Sequence, residues 1–254
     1  MHRSTFAAAC ALFAAAATAG GAPAADSPWA GRTVLVTGAN RGLGLEFARQ
    51  LTGAGATVIG TARDPAAAGE LAALGARVEP LDVTDAASVA TLARSLQGVK
   101  LDALLNNAGY FGHRGGIAEL DPETARREFE VNALGPLRVT RALLPNLRLG
   151  TAKLVMNVSS GMGSLEGAGS GGAAGYRASK AALNMLTVVL AAELKDEGFV
   201  CVAMSPGWVR TDMGGSGASL APAESVAGIL AVLGGLGPQD TGRFLNHDGT
   251  ELPW

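Results

Sequence analysis

The sequence predicts an α/β fold in which one domain carries a doubly wound parallel sheet with helices on both faces. Three observations lead there. Short β-branched runs alternate with helical stretches, the order that produces parallel strands. The first run enters its helix through a glycine-rich turn, Gly38-Ala39-Asn40-Arg41-Gly42-Leu43-Gly44. About 230 residues follow an alanine-rich leader, enough for one full core.

The first element is Thr33-Val34-Leu35-Val36-Thr37, a buried strand, and the helical stretch after the turn is Leu45-Glu46-Phe47-Ala48-Arg49-Gln50-Leu51. Strand, glycine turn and helix in that order form the context a dinucleotide fingerprint requires. Glycines let the backbone turn tightly and approach a pyrophosphate, which then sits at the positive end of the helix. The spacing is G-x-x-x-G-x-G, not G-x-G-x-x-G. In a chain with 36 glycines, a tight turn of any α/β protein is the competing reading.

The second strand, Thr57-Val58-Ile59-Gly60-Thr61, ends at Ala62-Arg63-Asp64, and a third leads to Asp82-Val83. The fourth, Leu101-Asp102-Ala103-Leu104-Leu105, runs into Asn106-Asn107-Ala108-Gly109. Asn132 falls inside the helical segment Phe129 to Gly135, where asparagine is unfavourable because its side chain competes for backbone hydrogen bonds. Its apolar neighbours Val131, Ala133 and Leu134 argue against a plain exposed polar position. The fifth strand, Lys153-Leu154-Val155-Met156-Asn157-Val158, ends in Ser159-Ser160. A strand exposes successive residues on opposite faces, so one of the two serines is expected to be a structural cap. A glycine-rich stretch from Gly161 to Gly175 follows, read as a mobile loop at the substrate entrance.

Next comes Gly175-Tyr176-Arg177-Ala178-Ser179-Lys180. Residues four apart share a helix face, which puts an ammonium beside a phenol. A neighbouring cation favours the phenolate, and lowering it from about 10 by about three units takes about 4 kcal/mol. Such a tyrosine can give a proton to a carbonyl or take one from an alcohol near neutral pH. A surface aromatic beside a solvated lysine is the alternative. The sixth strand, Val200-Cys201-Val202-Ala203-Met204, ends in Ser205-Pro206-Gly207 and Trp208-Val209-Arg210-Thr211. The short, small-sided segment from Asp212 to Pro222 then leads to a helix beginning near Ala223, implying an open pocket lined by Met162, Trp208 and Met213, or packing at those three positions.

In this order and spacing the motifs resemble the short-chain dehydrogenase/reductase family from about residue 31 onward. The tail Asn246-His247-Asp248-Gly249-Thr250-Glu251-Leu252-Pro253-Trp254 is similar to the branch containing C-factor proteins and sniffer-type carbonyl reductases. The resemblance implies a Rossmann domain over 31–254 with strand order 3-2-1-4-5-6-7 and the ligand over the strand C-termini. It makes Tyr176 the general acid/base and Lys180 the group that lowers its pKa and binds the nicotinamide ribose. It has Ser160, the second serine, hold the substrate oxygen, and Asn132 bend its helix and hold a water that links Lys180 to solvent. Cofactor contacts are implied at Gly38, Asn40, Arg41, Gly42, Leu43, Gly44, Asn107, Ala108, Gly109, Pro206, Gly207 and Val209. Asp82 and Val83 resemble the adenine contact, and Thr211 the carboxamide contact.

An acid about twenty positions beyond the glycine turn selects NAD, and an arginine there accommodates the 2′-phosphate of NADP. Ala62 occupies the discriminating acidic position in the family pattern, Arg63 follows it, and Arg41 adds a second cation. Two guanidiniums favour a phosphate, so NADP(H) is expected, with Asp64 one place late for the NAD alternative. The reading is an NADP-dependent oxidoreductase of a carbonyl or secondary alcohol. The alternative is a cofactor-binding signalling protein that kept the fold.

Apolar residues make up 48% and charged residues 17%, with net charge −2. That leaves no basic field for nucleic acid. Cys10 lies in the leader and Cys201 on a buried strand, so the mature chain offers no disulfide pair. His113 and His247 lack zinc-ligand spacing, so no metal is expected. Ser160 is not in a G-x-S-x-G elbow, which argues against a hydrolase triad. Leu183, Met185, Leu186, Val188, Val189 and Leu190 exceed one core-facing stripe, so a homodimer or homotetramer is expected. The leader Met1 to Ala24 combines a short positive start, an uncharged apolar run from Phe6 to Gly21 and small residues before Ala25. That pattern reads as a cleavable export signal, too short for a stable membrane span. A cytoplasmic enzyme with a disordered tail is the alternative.

Overall fold

A computed structural model describes residues 27–254; the expected leader over residues 1–24 lies outside the described residues. Seven strands form one all-parallel sheet, β3-β2-β1-β4-β5-β6-β7. They are β1 (Thr33–Val36), β2 (Thr57–Ala62), β3 (Arg77–Pro80), β4 (Ala103–Asn106), β5 (Leu154–Val158), β6 (Val200–Ser205) and β7 (Phe244–Asn246). Between them run α1 (Gly42–Gly53), α2 (Gly69–Ala73), α3 (Ala86–Ser95), α4 (Pro122–Phe129), α5 (Gly135–Leu149), α6 (Ala174–Leu194) and α7 (Pro222–Gly235). The expected doubly wound sheet, strand order included, is what the chain forms.

Strand alternation divides the core in two. Val34 and Val36 of β1, Ala103 and Leu105 of β4, Met156 of β5 and Val202 of β6 face one layer with Phe47 and Leu51 of α1 and Ile229 and Leu233 of α7. Leu35, Leu104, Val155 and Cys201 face the other, against Leu92 of α3, Val139 and Leu143 of α5 and Leu194 of α6. Both faces of each central strand are thus buried, which is why these strands read as continuous apolar runs.

Two local features prepare the ligand end. The chain turns from β1 to α1 through Gly38 (φ +64°) and Gly42 (φ +55°), a left-handed backbone that glycine adopts without a Cβ clash. Between α4 and α5 the helix widens into a π-helical turn over Glu130–Leu134, with the Gly135 amide donating to the Glu130 carbonyl. Pro136 follows at once and has no N–H to give the carbonyls of Val131 or Asn132. Asn132, the site of the expected bend, lies within this bulge, a feature that recurs at functional sites.

Candidate active site

The C-terminal ends of the strands open on a cleft of about 1350 Å³ that runs from the glycine turn to Tyr176. Its floor is braced across three strands. The Thr37 hydroxyl accepts the amides of Asn107 (2.9 Å) and Ala108 (3.0 Å), and Asn107 Nδ2 donates to the carbonyls of Thr37 (2.8 Å) and Gly38 (3.1 Å). From β2, the Thr61 hydroxyl accepts the Gly38 amide at 3.3 Å. These bonds leave no space beside the start of α1: a Cβ on Gly44 would lie 2.1 Å from the Gly38 oxygen and 2.6 Å from Asn107 Nδ2. No side chain caps α1, so its first amides remain available to an anion.

Also on the cleft wall, Arg63 is exposed, and Arg41, at the start of α1, pairs through Nη1 with Asp212 Oδ2 at 3.0 Å. Asp64, the residue of the NAD alternative, accepts the Ala66 amide at 3.0 Å and caps its own turn. Thr84 donates to Asp82 from its amide (2.9 Å) and its hydroxyl (2.7 Å). The Thr84 hydroxyl holds the Asp82 carboxyl below its ordinary value; Arg63 and Arg127 add to this against the cost of burial. An uncapped helix start, glycines with no room for a Cβ and the nearby cations Arg41 and Arg63 fit a dinucleotide with an additional phosphate.

Tyr176 and Lys180 stand on the first turns of α6, both buried and both on the cleft wall. Lys180 Nζ donates to the Val158 carbonyl at 2.8 Å and lies 5.7 Å from the centre of the Tyr176 ring. Burial brings the Lys180 ammonium down from 10.5 to about 7. Burial is also the main influence on the Tyr176 phenol, which is pushed up from 10 to about 12; the Ser160 hydroxyl and Arg114 oppose the rise and Glu128 adds to it. The expected lowering of the phenol by Lys180 is therefore corrected for the protein alone. Two buried groups whose charged forms both lose hydration favour neutral phenol and weakened ammonium, and Lys180 gives its hydrogen bond to Val158.

The serine pair divides as strand alternation requires. Ser159 Oγ donates to Asn184 Oδ1 at 2.6 Å, a structural contact, whereas Ser160 lies beside the phenol and accepts the Met162 amide at 3.1 Å. The Asn132 side chain is fully engaged: Oδ1 accepts the Tyr110 amide (2.8 Å), and Nδ2 donates to the Tyr110 carbonyl (2.8 Å) and the Ser179 hydroxyl (3.0 Å). Ser179 in turn donates to the Tyr176 carbonyl at 2.7 Å. Asn132 thus joins the bulged helix, the loop after β4 and the turn that bears Tyr176.

Of the other sequence-selected residues, Gly38, Asn40, Arg41, Gly42, Leu43, Gly44, Arg63, Asp82, Val83, Asn107, Ala108, Gly109, Pro206 and Thr211 line the cleft. Asn132, Ser160, Gly207 and Val209 stand behind or beside that lining. Val209 is buried in a bridge to Leu220, and Gly207 turns at φ +76°. Met213 reaches the cleft; Trp208 is exposed and hydrogen-bonds the Gly214 carbonyl through Nε1 at 2.9 Å, and Met162 is half-buried outside the cleft lining. Sequence reasoning missed Phe111, whose ring stacks on Tyr176 at 4.1 Å and 13°, and Arg114, which lies 4.2 Å over Phe111 and donates to the Met213 carbonyl. It also missed the buried Glu128. A loop aromatic and a helix carboxylate carry no spacing signal, and only the fold brings them to the phenol. Among the described residues there is no group of three or more potential metal ligands, and no helix is long and apolar enough to cross a membrane.

Comparison with known proteins agrees with this geometry. The short chain dehydrogenase family model matches residues 32–219. The C-signal protein of Myxococcus xanthus is 50% identical over 154 residues, which is 61% of this chain and 93% of that protein. The 1-hydroxy-2-glutathionyl-2-methyl-3-butene dehydrogenase of Rhodococcus sp. strain AD45 is 40% identical over 229 residues, 87% of this chain and 99% of that one. Among solved structures, NADPH-bound carbonyl reductase from chicken fatty liver superposes with a TM-score of 0.83 at 38% identity, covering 89% of this chain and all of that one. Carbonyl reductase Sniffer of Drosophila melanogaster gives 0.83 at 31% identity, covering 88% and 100%. With a strand-glycine-helix cradle, a tyrosine and lysine on one helix face and a family match over most of its length, the chain belongs to the short-chain dehydrogenase family.

Proposed function

We propose that the protein is an NADP(H)-dependent oxidoreductase that reduces a carbonyl group, or oxidises the corresponding alcohol, with Tyr176 as the acid/base. The observation that carries the reading is the meeting of the Tyr176 phenol and Lys180 on the wall of the cleft that begins at the glycine turn, with the Ser160 hydroxyl against the phenol. Reduced nicotinamide, when bound, supplies a hydride to the carbonyl carbon. The chain's own groups do the rest. The Ser160 hydroxyl, whose oxygen is held by the Met162 amide, donates to the substrate oxygen and stabilises the charge that develops there. Tyr176, kept protonated by burial, gives its proton to that oxygen, and the tyrosinate left behind is refilled from solvent. Lys180, held by Val158, is placed to bind the ribose and to favour the tyrosinate once it forms. Asn132 holds the start of α6 in place through Ser179.

Arg41 and Arg63 support NADP over NAD. So do the NADPH bound to the chicken carbonyl reductase and the NADP bound to a Burkholderia multivorans relative with a TM-score of 0.79 and 34% identity. A second reading, a signalling protein, is favoured by the identity to C-signal; it has no need of an acidic tyrosine. Assembly into a dimer or tetramer is supported by the exposed Met185, Val188 and Val189 of α6 and Leu137 of α5, an apolar face a second copy would cover. Export remains a proposal from the leader alone, which N-terminal sequencing of the native protein tests. Tyr176→Phe tests the enzyme reading: turnover of aldehydes, ketones or quinones falls about 10²–10⁴-fold while NADPH binding persists. Wild-type rates in that variant refute it.

A further inference from the structure

Glu128, on α4, is fully buried. Its Oε1 accepts the Gly112 amide at 2.8 Å and the His113 amide at 3.3 Å. Its Oε2 is buried with no hydrogen-bond partner. A Cβ on Gly175 would stand 2.2 Å from that oxygen, so the carboxylate presses on the backbone of the first turn of α6, one residue before Tyr176. Burying a carboxylate with one oxygen unpaired is costly. A glutamine of the same size would serve the two amides without the charge, so packing and loop structure alone do not call for it. Unpaired charge beside a reacting group is characteristic of functional sites.

We propose that Glu128 is a positioning residue of the active site: its carboxylate seats the start of α6 and the loop after β4 around Tyr176, and sets an unpaired buried oxygen against the turn that bears the phenol. The proposal rests on the reading of Tyr176 as the proton donor. Its geometric half follows from what the loop carries. Phe111 stacks on the Tyr176 ring, and the Ala173 amide, just before α6, donates to the Gly115 carbonyl at 3.0 Å. Glu128 anchors the same loop between these two contacts. The need for glycine at 175 follows too, since any side chain there would collide with the carboxylate.

The electrostatic half depends on what else faces the phenol. From α6 itself comes Lys180, turned to the Val158 carbonyl; from the end of β5, Ser160; from the loop after β4, Arg114, exposed over Phe111 and tied to Met213. On α4, Arg126 pairs with Glu123 and Arg127 lies over the Tyr110 ring; in the π-helical turn, Glu130 pairs with Arg138. The His113 ring nitrogen Nε2 faces the Gly116 carbonyl. Among the described residues none of these forms an ion pair with Glu128, so its charge opposes ionisation of the phenol without a partner. The consequence is direction. A tyrosine that stays protonated far into the alkaline range favours carbonyl reduction and delays alcohol oxidation to higher pH.

Glu128→Gln keeps an acceptor for the loop amides and removes the charge. In the pH profile of kcat/KM for NADPH-dependent reduction, its alkaline limb is expected about one pH unit below that of the wild type, with NADPH affinity unchanged. The sequence holds only two tyrosines, which permits a second readout free of turnover. In a Tyr110→Phe background the phenolate absorbance reports Tyr176 alone, and its midpoint is expected to fall when Glu128→Gln is added. A limb and a midpoint that both stay in place overturn the proposal, as does an effect confined to NADPH affinity. Tyr176→Phe separates the two failures. If it retains turnover, the reading of Tyr176 is wrong; if it is inactive while Glu128→Gln moves neither readout, only the role of Glu128 is wrong.

Discussion

Asp102 precedes β4, the strand that delivers Asn107 to the cofactor cradle, and its carboxylate is a buried knot tying three chain segments. Oδ2 accepts the Thr33 amide at 3.0 Å, Oδ1 accepts the Thr151 amide at 2.9 Å and hydroxyl at 3.0 Å, and Lys100 Nζ lies 3.3 Å away. Burial alone would raise this carboxyl, but the four donors outweigh it and bring it from 3.8 down to about 2. Asp102→Asn keeps the shape and offers one oxygen where two are needed, so the new NH₂ must face a backbone N–H. The gap, 3.8 − 2 or about 1.8 units at about 1.36 kcal/mol each, is about 2.4 kcal/mol of stability at neutral pH. A donor facing a donor adds about 1 kcal/mol, for an expected loss of about 3 kcal/mol. Because the folded pKa lies below the unfolded one, the advantage of the aspartate is complete above about pH 4 and disappears as the pH falls to about 2. Urea unfolding of both proteins at neutral pH and near pH 3 measures it, and the difference between them should narrow by about 1 kcal/mol in acid. A variant within about 0.5 kcal/mol of wild type at neutral pH, or a difference that does not shrink in acid, refutes the reasoning.

Two further expectations concern the cofactor. Gly44→Ala places a methyl against the Gly38 carbonyl and Asn107 Nδ2, and an overpacking cost of about 1–3 kcal/mol should weaken NADPH binding at least fivefold in a fluorescence titration; unchanged affinity would show that the cradle does not hold the pyrophosphate. Arg63→Ala should cost NADPH about 1.5–3 kcal/mol of affinity and leave NADH untouched, and equal affinities for the two cofactors in the wild type would sink the NADP assignment.

Much of the fold was legible because its signals are local. Each central strand is buried on both faces, so it appears as an apolar run whatever its neighbours are, and glycines mark the first turn because Gly38 and Gly42 take a left-handed backbone and Gly44 has no room for a Cβ. Tyr176 and Lys180 were legible for the same reason, four residues apart on one helix. Asn132 was legible as a misfit in its helix, although its partners, Tyr110 and Ser179, were not.

What the tertiary structure alone decided concerns groups distant in sequence. The phenol of Tyr176 is governed first by burial, then by the Ser160 hydroxyl at the end of β5, by Glu128 from α4 and by Arg114 from the loop after β4, since desolvation depends on everything packed around a group. Arg41 meets Asp212 across 171 positions, and Phe111 covers Tyr176 from another element. Spacing along the chain specifies which residues share a strand or a helix face. The charge a buried group bears is set by neighbours that only the folded sheet brings within reach.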